Sequence, residues 1–454
     1  MSRRVDERRF TSALREVADR TPSDRNRVVD LVRVAALSFI VVGHWLKQGL
    51  YLDEAGELHR SGLLGQSEWT HPLTWVFQVM PLIFAVGGFA NAMSWRRASA
   101  GQETYGTWLR HRTRRLTTPL LPLLALWALA PVVAPAVGLG DDWLHAASKT
   151  SLVATWFLAT YLVVVALVPL THAAWRRWGW MSIVGGGVLA AVFDLVSLTT
   201  DLGFVGYLNV LVVWVTLHQC GYAWLDRRGP SHGGWGLLFC GLFLMALVLL
   251  VWQGPYGVSM VGVDGHGVNN TVPPRVTILL LGCAQLAGVM ALEPWLRRLA
   301  RSPVVWALIV LVELRAMTLY LWHLTALSLL SAVSIWLGGW GLRAQPSSHE
   351  WWLLRPGWLL ALMVTTALLV WLFGRFENPR LEKITVRSWS PTLEIAVVVI
   401  CLAQLGLYGV GWQSGGNGGA VAALCFVCLL GLRWWERSPG SWTAATAGRR
   451  RAER

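Results

Sequence analysis

The chain reads as an all-α polytopic membrane protein of about 12 transmembrane helices, and three observations carry that reading. Its mean hydropathy is +0.48 and 54% of its residues are hydrophobic, more than an ordinary aqueous domain holds. The apolar residues come in blocks of about 20, the length at which a helix crosses a ~30 Å hydrocarbon core. The segments joining the blocks alternate between arginine-rich and arginine-poor, as the loops of a multi-pass protein do.

In chain order the spans fall near 28–50, 71–95, 117–138, 150–170, 180–198, 204–225, 234–252, 275–295, 314–337, 353–375, 393–412 and 417–435. The basic segments are the N-terminus, 96–116, 171–179, 226–233, 296–303, 375–392 and the tail. Cytoplasmic loops hold the arginine excess, so both termini are expected in the cytoplasm. The same distribution argues against nucleic acid as the partner of the +14 formal charge, because the basic residues lie in short clusters between apolar blocks. Lysine occurs only at 47, 149 and 383, a bias toward arginine that fits a high-GC bacterial source and a bacterial cell membrane. All six cysteines lie within apolar blocks, where they act as small hydrophobes.

These boundaries divide the chain into a basic cytoplasmic N-terminal segment (1–27), a membrane domain (28–380), two additional transmembrane helices (381–436) and a basic cytoplasmic tail (437–454). Residues 1–27 contain no apolar core of the signal-peptide kind. The run VVWALIVLVE (304–313) is expected as an interfacial helix before the ninth span, since 304–337 as one helix would reach about 50 Å. The segment 253–274, rich in Gly, Pro and Asn, reads as an irregular outward loop of the kind that carries substrate contacts.

The first span is unusual because it holds Asp30, Arg33 and His44. An ionisable side chain at mid-bilayer costs roughly 2.5–3.5 kcal/mol on insertion scales, so it faces protein or a water-filled cavity and is a functional candidate. Ten residues separate Arg33 from His44. Eleven steps of about 100° bring the two onto one helical face, about 16 Å apart along the axis, and Asp30 falls on the same stripe. Arginine keeps its charge and needs an anion, which Asp30 or an anionic ligand supplies. A neutral imidazole can take a proton from a hydroxyl and later return it.

RVVDLVRVAALSFIVVGH, carrying Asp30, Arg33 and His44, resembles the first-span pattern of the acyltransferase-3 family of integral membrane acyltransferases. The resemblance continues in order through MPLIFAVGGFAN (80–91), WLRHRTRRLTTPLL (108–121), TWFLATYL (155–162), AMTLYLWHL (316–324) and RFENP (375–379). It covers about 25–380, so the first ten helices are expected to form an acyltransferase-3-like bundle. Two departures stand out. Gly87 replaces the Ser often found before Gly88, and Asn378 follows Glu377 where the family often has Arg.

The resemblance implies transfer of an acyl group, acetyl or another short acyl, from acyl-CoA to a hydroxyl of a carbohydrate, lipid-linked or natural-product acceptor. Acyl-CoA is then a donor substrate, with no cofactor bound permanently, and the remaining partners are the acceptor and membrane lipids. On that reading His44 is the general base, or forms an acyl-histidine, and Arg33, steadied by Asp30, guides the donor. Arg110, Arg112, Arg114 and Arg115 would hold the donor phosphates, beside their part in fixing topology. Trp156, Tyr161, Tyr320, His323 and Glu377 would line the substrate pocket, against alternatives as belt aromatics, interhelical hydrogen bonds and a helix-end ion pair. His218 and Gln219 read as packing groups, and Asp194 requires a partner that the sequence leaves open. No His and carboxylate spacing points to a metal. The competing class is a permease or flippase in which Asp30, Arg33 and His44 form a substrate or proton pathway; a structural subunit of an envelope complex would not need His44.

Overall fold

The computed structural model of the chain describes residues 25–47, 50–53, 55–56, 58–60, 62–226, 234–263, 267–377, 390–410 and 418–437. Most of the N-terminal segment, Arg227 and Arg228, Asn378, Lys383 and the basic tail lie outside the described residues. Most of the described residues are helical, and the two named strands, β1 (Leu50–Leu52) and β2 (Leu58–Arg60), form one antiparallel hairpin. The helices are α1 (Arg27–Lys47), α2 (Leu63–Gln66), α3 (Thr74–Phe77), α4 (Met80–Ala100), α5 (Tyr105–Thr117), α6 (Leu120–Ala136), α7 (Asp141–Leu152), α8 (Thr155–Ala166), α9 (Val168–Trp178) and α10 (Trp180–Thr199). They continue as α11 (Asn209–Asp226), α12 (Gly234–Gln253), α13 (Val276–Ala291), α14 (Glu293–Arg301), α15 (Pro303–Glu313), α16 (Ala316–Trp336), α17 (His349–Phe373), α18 (Ser390–Tyr408) and α19 (Gly418–Arg437).

Among the described residues eight helices are long and apolar enough to cross a membrane, or up to ten if each bent pair is one span. The pairs are α5–α6, bent by 46°, and α13–α14, bent by 63°. Both breaks fall at prolines, Pro119 and Pro294, which lack an N–H and crowd the preceding turn. The polytopic class therefore holds with fewer long spans than the expected 12, because the apolar stretches of α18 and α19 are shorter than the rest. α12 exposes Trp235, Leu237, Leu242, Met245 and Trp252, a surface that suits lipid rather than water. The run 304–313 is a separate helix, α15, begun by Pro303 and ending before α16.

The chain divides into two compact units, each discontinuous in sequence. Unit 1 comprises residues 1–47, 62–94 and 168–316. Its core joins Val28, Val29 and Val32 of α1 to Ala85, Val86 and Phe89 of α4, Trp175 of α9 and Tyr222 and Trp224 of α11. The α4–α11 crossing is close because glycine permits it: a Cβ on Gly88 would lie 1.8 Å from the His218 carbonyl oxygen, and one on Gly221 would lie 2.0 Å from that of Ala85.

Unit 2 comprises residues 48–61, 95–167 and 317–454. Leu123 and Leu124 of α6, Leu144 of α7, Leu158 and Leu162 of α8, Leu324 of α16 and Leu405 of α18 are buried in it. A polar ladder runs along α16: Trp127 Nε1 donates to Thr325 Oγ1 (3.4 Å), Ser151 and Ser328 share a hydrogen bond (2.8 Å), and Trp143 Nε1 donates to Ser331 Oγ (3.2 Å). α18 and α19 belong to the same packing. Thr117 donates to Glu394 (2.7 Å), Arg433 donates to Thr117 (2.8 Å) and pairs with Glu394 (3.3 Å), and Val410 N–H reaches Ser148 Oγ (3.1 Å).

Candidate active site

In unit 1, α1 is unbroken from Arg27 to Lys47, so the helix repeat keeps Arg33 and His44 on one face. That face is the packed one, since Leu37, Ile40 and Val41 between them are buried. Arg33 and His44 are each half-buried. Asp30, 6% exposed, accepts from Arg33 Nη1 (3.3 Å) and Arg25 Nε (2.5 Å). Arg33 Nη1 also donates to Glu313 of α15 (2.6 Å), and Arg25 pairs with the same carboxylate. Two guanidiniums and two carboxylates thus form one cluster of balanced charge. The Arg25 and Arg27 guanidiniums lie 5.2 and 4.6 Å from the centre of the Trp306 ring, on α15. Sequence reasoning found Asp30 and Arg33 but missed Glu313 and Arg25. The available signal was an acid closing an otherwise apolar run, VVWALIVLVE, which needs a cation nearby.

The other end of α1 packs on α3: Phe39 meets Phe77 edge to face at 5.3 Å, and a Cβ on Gly43 would lie 3.2 Å from the Phe77 ring. Residues of and beside α3 hold the segment after α12. Trp75 Nε1 donates to the Val258 carbonyl (2.7 Å) and Gln78 to that of Met260 (3.2 Å). Asn270, fully buried, donates to Gly257 (2.7 Å) and Ser259 (2.9 Å) and accepts from Thr277 (2.7 Å). The described part of the 253–274 segment is therefore a tied loop, tethered through α3 to the end of α1 that carries His44.

Asp194 finds its partner in this region. It pairs with Arg275 (3.1 Å) and accepts from Asn209 (2.9 Å), the Val276 N–H (2.7 Å) and Tyr256 (3.3 Å). Burial, with the Asp194 charge beside it, pushes the Tyr256 phenol above its ordinary value against the opposing pull of Arg275. His218 lies within the α4–α11 crossing. Asn91 lies 3.1 Å from its Nε2 and Tyr222 3.0 Å from its Nδ1, and Tyr222 is 2.8 Å from Thr171. Gln219 donates to the Thr171 carbonyl (3.0 Å), so His218 and Gln219 fasten helices together, as their sequence context indicated.

In unit 2 the arginine run of α5 splits by face. Arg110 and Arg114, one turn apart, are buried; Arg112 is half-buried and Arg115 exposed. Tyr320 donates to the Ala154 carbonyl (2.6 Å), and His323 Nδ1 lies 2.6 Å from the Tyr320 carbonyl. A carbonyl only accepts, so Nδ1 carries the proton in the neutral ring and Nε2 is the basic nitrogen. Phe157 stacks on Tyr161 and meets Tyr320 edge to face, each at 5.3 Å, and Trp156 is a further edge neighbour. Tyr161, Tyr320 and His323 thus belong to one aromatic cluster, with Trp156 at its margin.

Glu377 lies at the N-terminal end of α16. It is buried and accepts the N–H groups of Met317 (2.8 Å) and Thr318 (3.0 Å) and the Thr318 hydroxyl (2.7 Å). A carboxylate there satisfies the open end of α16 and matches its positive dipole end. Glu377 is therefore a positioning residue for the helix that carries Tyr320 and His323.

The chain is similar to halorhodopsin of Haloterrigena sp. (strain arg-4), 28% identical over 232 residues, covering 49% of this chain and 73% of that one. An alignment of that identity over half of so apolar a chain carries no functional argument. No solved structure matches significantly. A family model described as an acyltransferase domain matches residues 26–375, from the Asp30–Arg33 end of α1 to just past α17. The chain belongs to the acyltransferase-3 family and is a membrane enzyme that transfers acyl groups.

Proposed function

We propose that the protein moves a short acyl group from acyl-CoA to a hydroxyl of a carbohydrate, lipid-linked or natural-product acceptor. The observation that carries this reading is the unbroken α1, with Arg33 held by Asp30 and Glu313 at one end and His44 at the other, on one packed face. In a bacterial cell membrane with both termini cytoplasmic, Arg33 lies toward the cytoplasmic donor and His44 toward the acceptor. The tied loop after α12, near the His44 end, is then the natural element to meet the acceptor. Arg110, Arg112, Arg114 and Arg115 supply guanidinium donors for phosphate oxygens of coenzyme A.

In the transfer step His44 takes the acceptor hydroxyl proton as the oxygen attacks the thioester carbonyl. The new C–O bond forms, the C–S bond breaks, and the proton returns to the departing thiolate. Asp30 and Glu313 fix the Arg33 guanidinium so that it meets the donor in one orientation.

The test is transfer of label from acyl-CoA by purified protein in detergent. His44→Ala is expected to lower kcat by roughly 10²–10⁴ with an unchanged thermal midpoint. Normal transfer by a folded His44→Ala variant removes His44 from the mechanism. Arg33→Ala is expected to weaken coenzyme A binding, and a calorimetric titration equal to wild type would sink that role.

A further inference from the structure

Arg355 lies in the second turn of α17 and is 7% exposed. Its guanidinium carbon sits 3.7 Å from the centre of the Trp351 ring, one turn earlier. Among the described residues the guanidinium makes no hydrogen bond and no ion pair, and its Nε is buried without an acceptor. The other buried arginines differ: Arg275 pairs with Asp194, and Arg110 and Arg114 both have interaction partners. Arginine does not discharge, and the face of an indole returns only part of the hydration that burial removes. The position adds to the imbalance. Side chains on a helix lean toward its N-terminus, so this cation leans toward the end of α17 that already carries partial positive charge.

The surroundings are rich in tryptophan. Trp340 and Trp358 lie 5.8 Å apart and Trp351 and Trp352 4.7 Å apart, while Trp340, Trp352 and Leu353 are exposed. Tryptophan concentrates at headgroup depth, where an amphiphile presents its phosphate. The planar guanidinium matches two phosphate oxygens at once.

We propose that Arg355 binds a phosphate group carried by an amphiphile, whose apolar chain lies along the exposed Trp340 and Trp352. The phosphate belongs either to a phospholipid headgroup or to a lipid-linked acceptor. Only the second source rests on the acyl-transfer reading; the binding itself does not.

The full chain in nonionic detergent is titrated with a short-chain phosphatidylglycerol and, separately, a short-chain polyprenyl phosphate, with uncharged diacylglycerol and inorganic phosphate as controls. Native mass spectrometry counts bound molecules and the thermal midpoint is followed alongside. Wild type is expected to bind at least one phosphate amphiphile above both controls, and Arg355→Gln to bind it about tenfold more weakly. Preference for phosphatidylglycerol identifies a bilayer headgroup site, and preference for polyprenyl phosphate an acceptor site. Equal binding by wild type and Arg355→Gln, or retention of diacylglycerol as strong as that of the phosphate amphiphiles, overturns the proposal. Should Arg355→Gln fail to fold, Arg355→Lys decides, because it keeps the charge and loses the planar fork; phosphate affinity unchanged from wild type overturns the proposal.

Discussion

Arg33 is held by two carboxylates of different origin: Asp30, one helical turn away and readable from spacing, and Glu313, 280 residues further on. Glu313→Gln leaves two guanidiniums facing the single Asp30 charge. Because Arg25 and Arg33 are each about a third exposed, the expected loss is about 1–3 kcal/mol, less than for a fully buried pair. Thermal unfolding in detergent measures it, and the donor KM should move with it while kcat changes little, a split that purely structural damage would not give. Glu377 invites a parallel test. Glu377→Ala takes a carboxylate from the open end of α16 and should cost about 1–2 kcal/mol, with Glu377→Gln recovering part of it through its remaining amide oxygen. The local sequence pointed to a helix-end ion pair; among the described residues the carboxylate meets backbone N–H groups some sixty residues earlier.

At the level of elements, helix identity was legible because an apolar block of span length has few ways to satisfy its backbone other than as a helix. The breaks at Pro119 and Pro294 were also visible as residues, but not their angles of 46° and 63°, which depend on what each half packs against. The close approach of α4 and α11 is a tertiary fact carried by two small residues. Gly88→Ala or Gly221→Ala would place a methyl within 2.0 Å of a backbone oxygen on the facing helix, and backbone cannot swing aside as a side chain can. Each is expected to destabilise unit 1 by about 3 kcal/mol or more, read as a lowered thermal midpoint or lost monodisperse protein. Gly138→Ala, in open space but at φ +79°, should cost only about 1–2 kcal/mol of backbone strain and leave the crossing intact.

For the molecule as a whole, the family match and the folding unit end at different places. The match closes at residue 375, yet α18 and α19 pack within unit 2 and share the buried Thr117–Glu394–Arg433 cluster. Truncation before Ser390 removes the acid and the base from that cluster and uncovers the Ser148 side of α7, so the shortened protein should aggregate or lose its cooperative melt. A milder test is Glu394→Gln, which takes the carboxylate charge from beside Arg433 and Thr117 and should lower the thermal midpoint without removing α18 or α19.

The class of the molecule, the order of its long helices and the shared face of Asp30, Arg33 and His44 could be read along the chain, because hydropathy, proline and the 3.6-residue repeat are local properties. The ordered motifs also brought the acyltransferase-3 family into view. It took the packed structure to show that Asp194 pairs with Arg275, that Glu313 completes the Arg33 cluster, that Glu377 closes α16 and that Arg355 meets no anion among the described residues. The first three are pairings between residues far apart in the chain and the fourth is a pairing not made, and no local periodicity encodes which distant group a buried charge will meet.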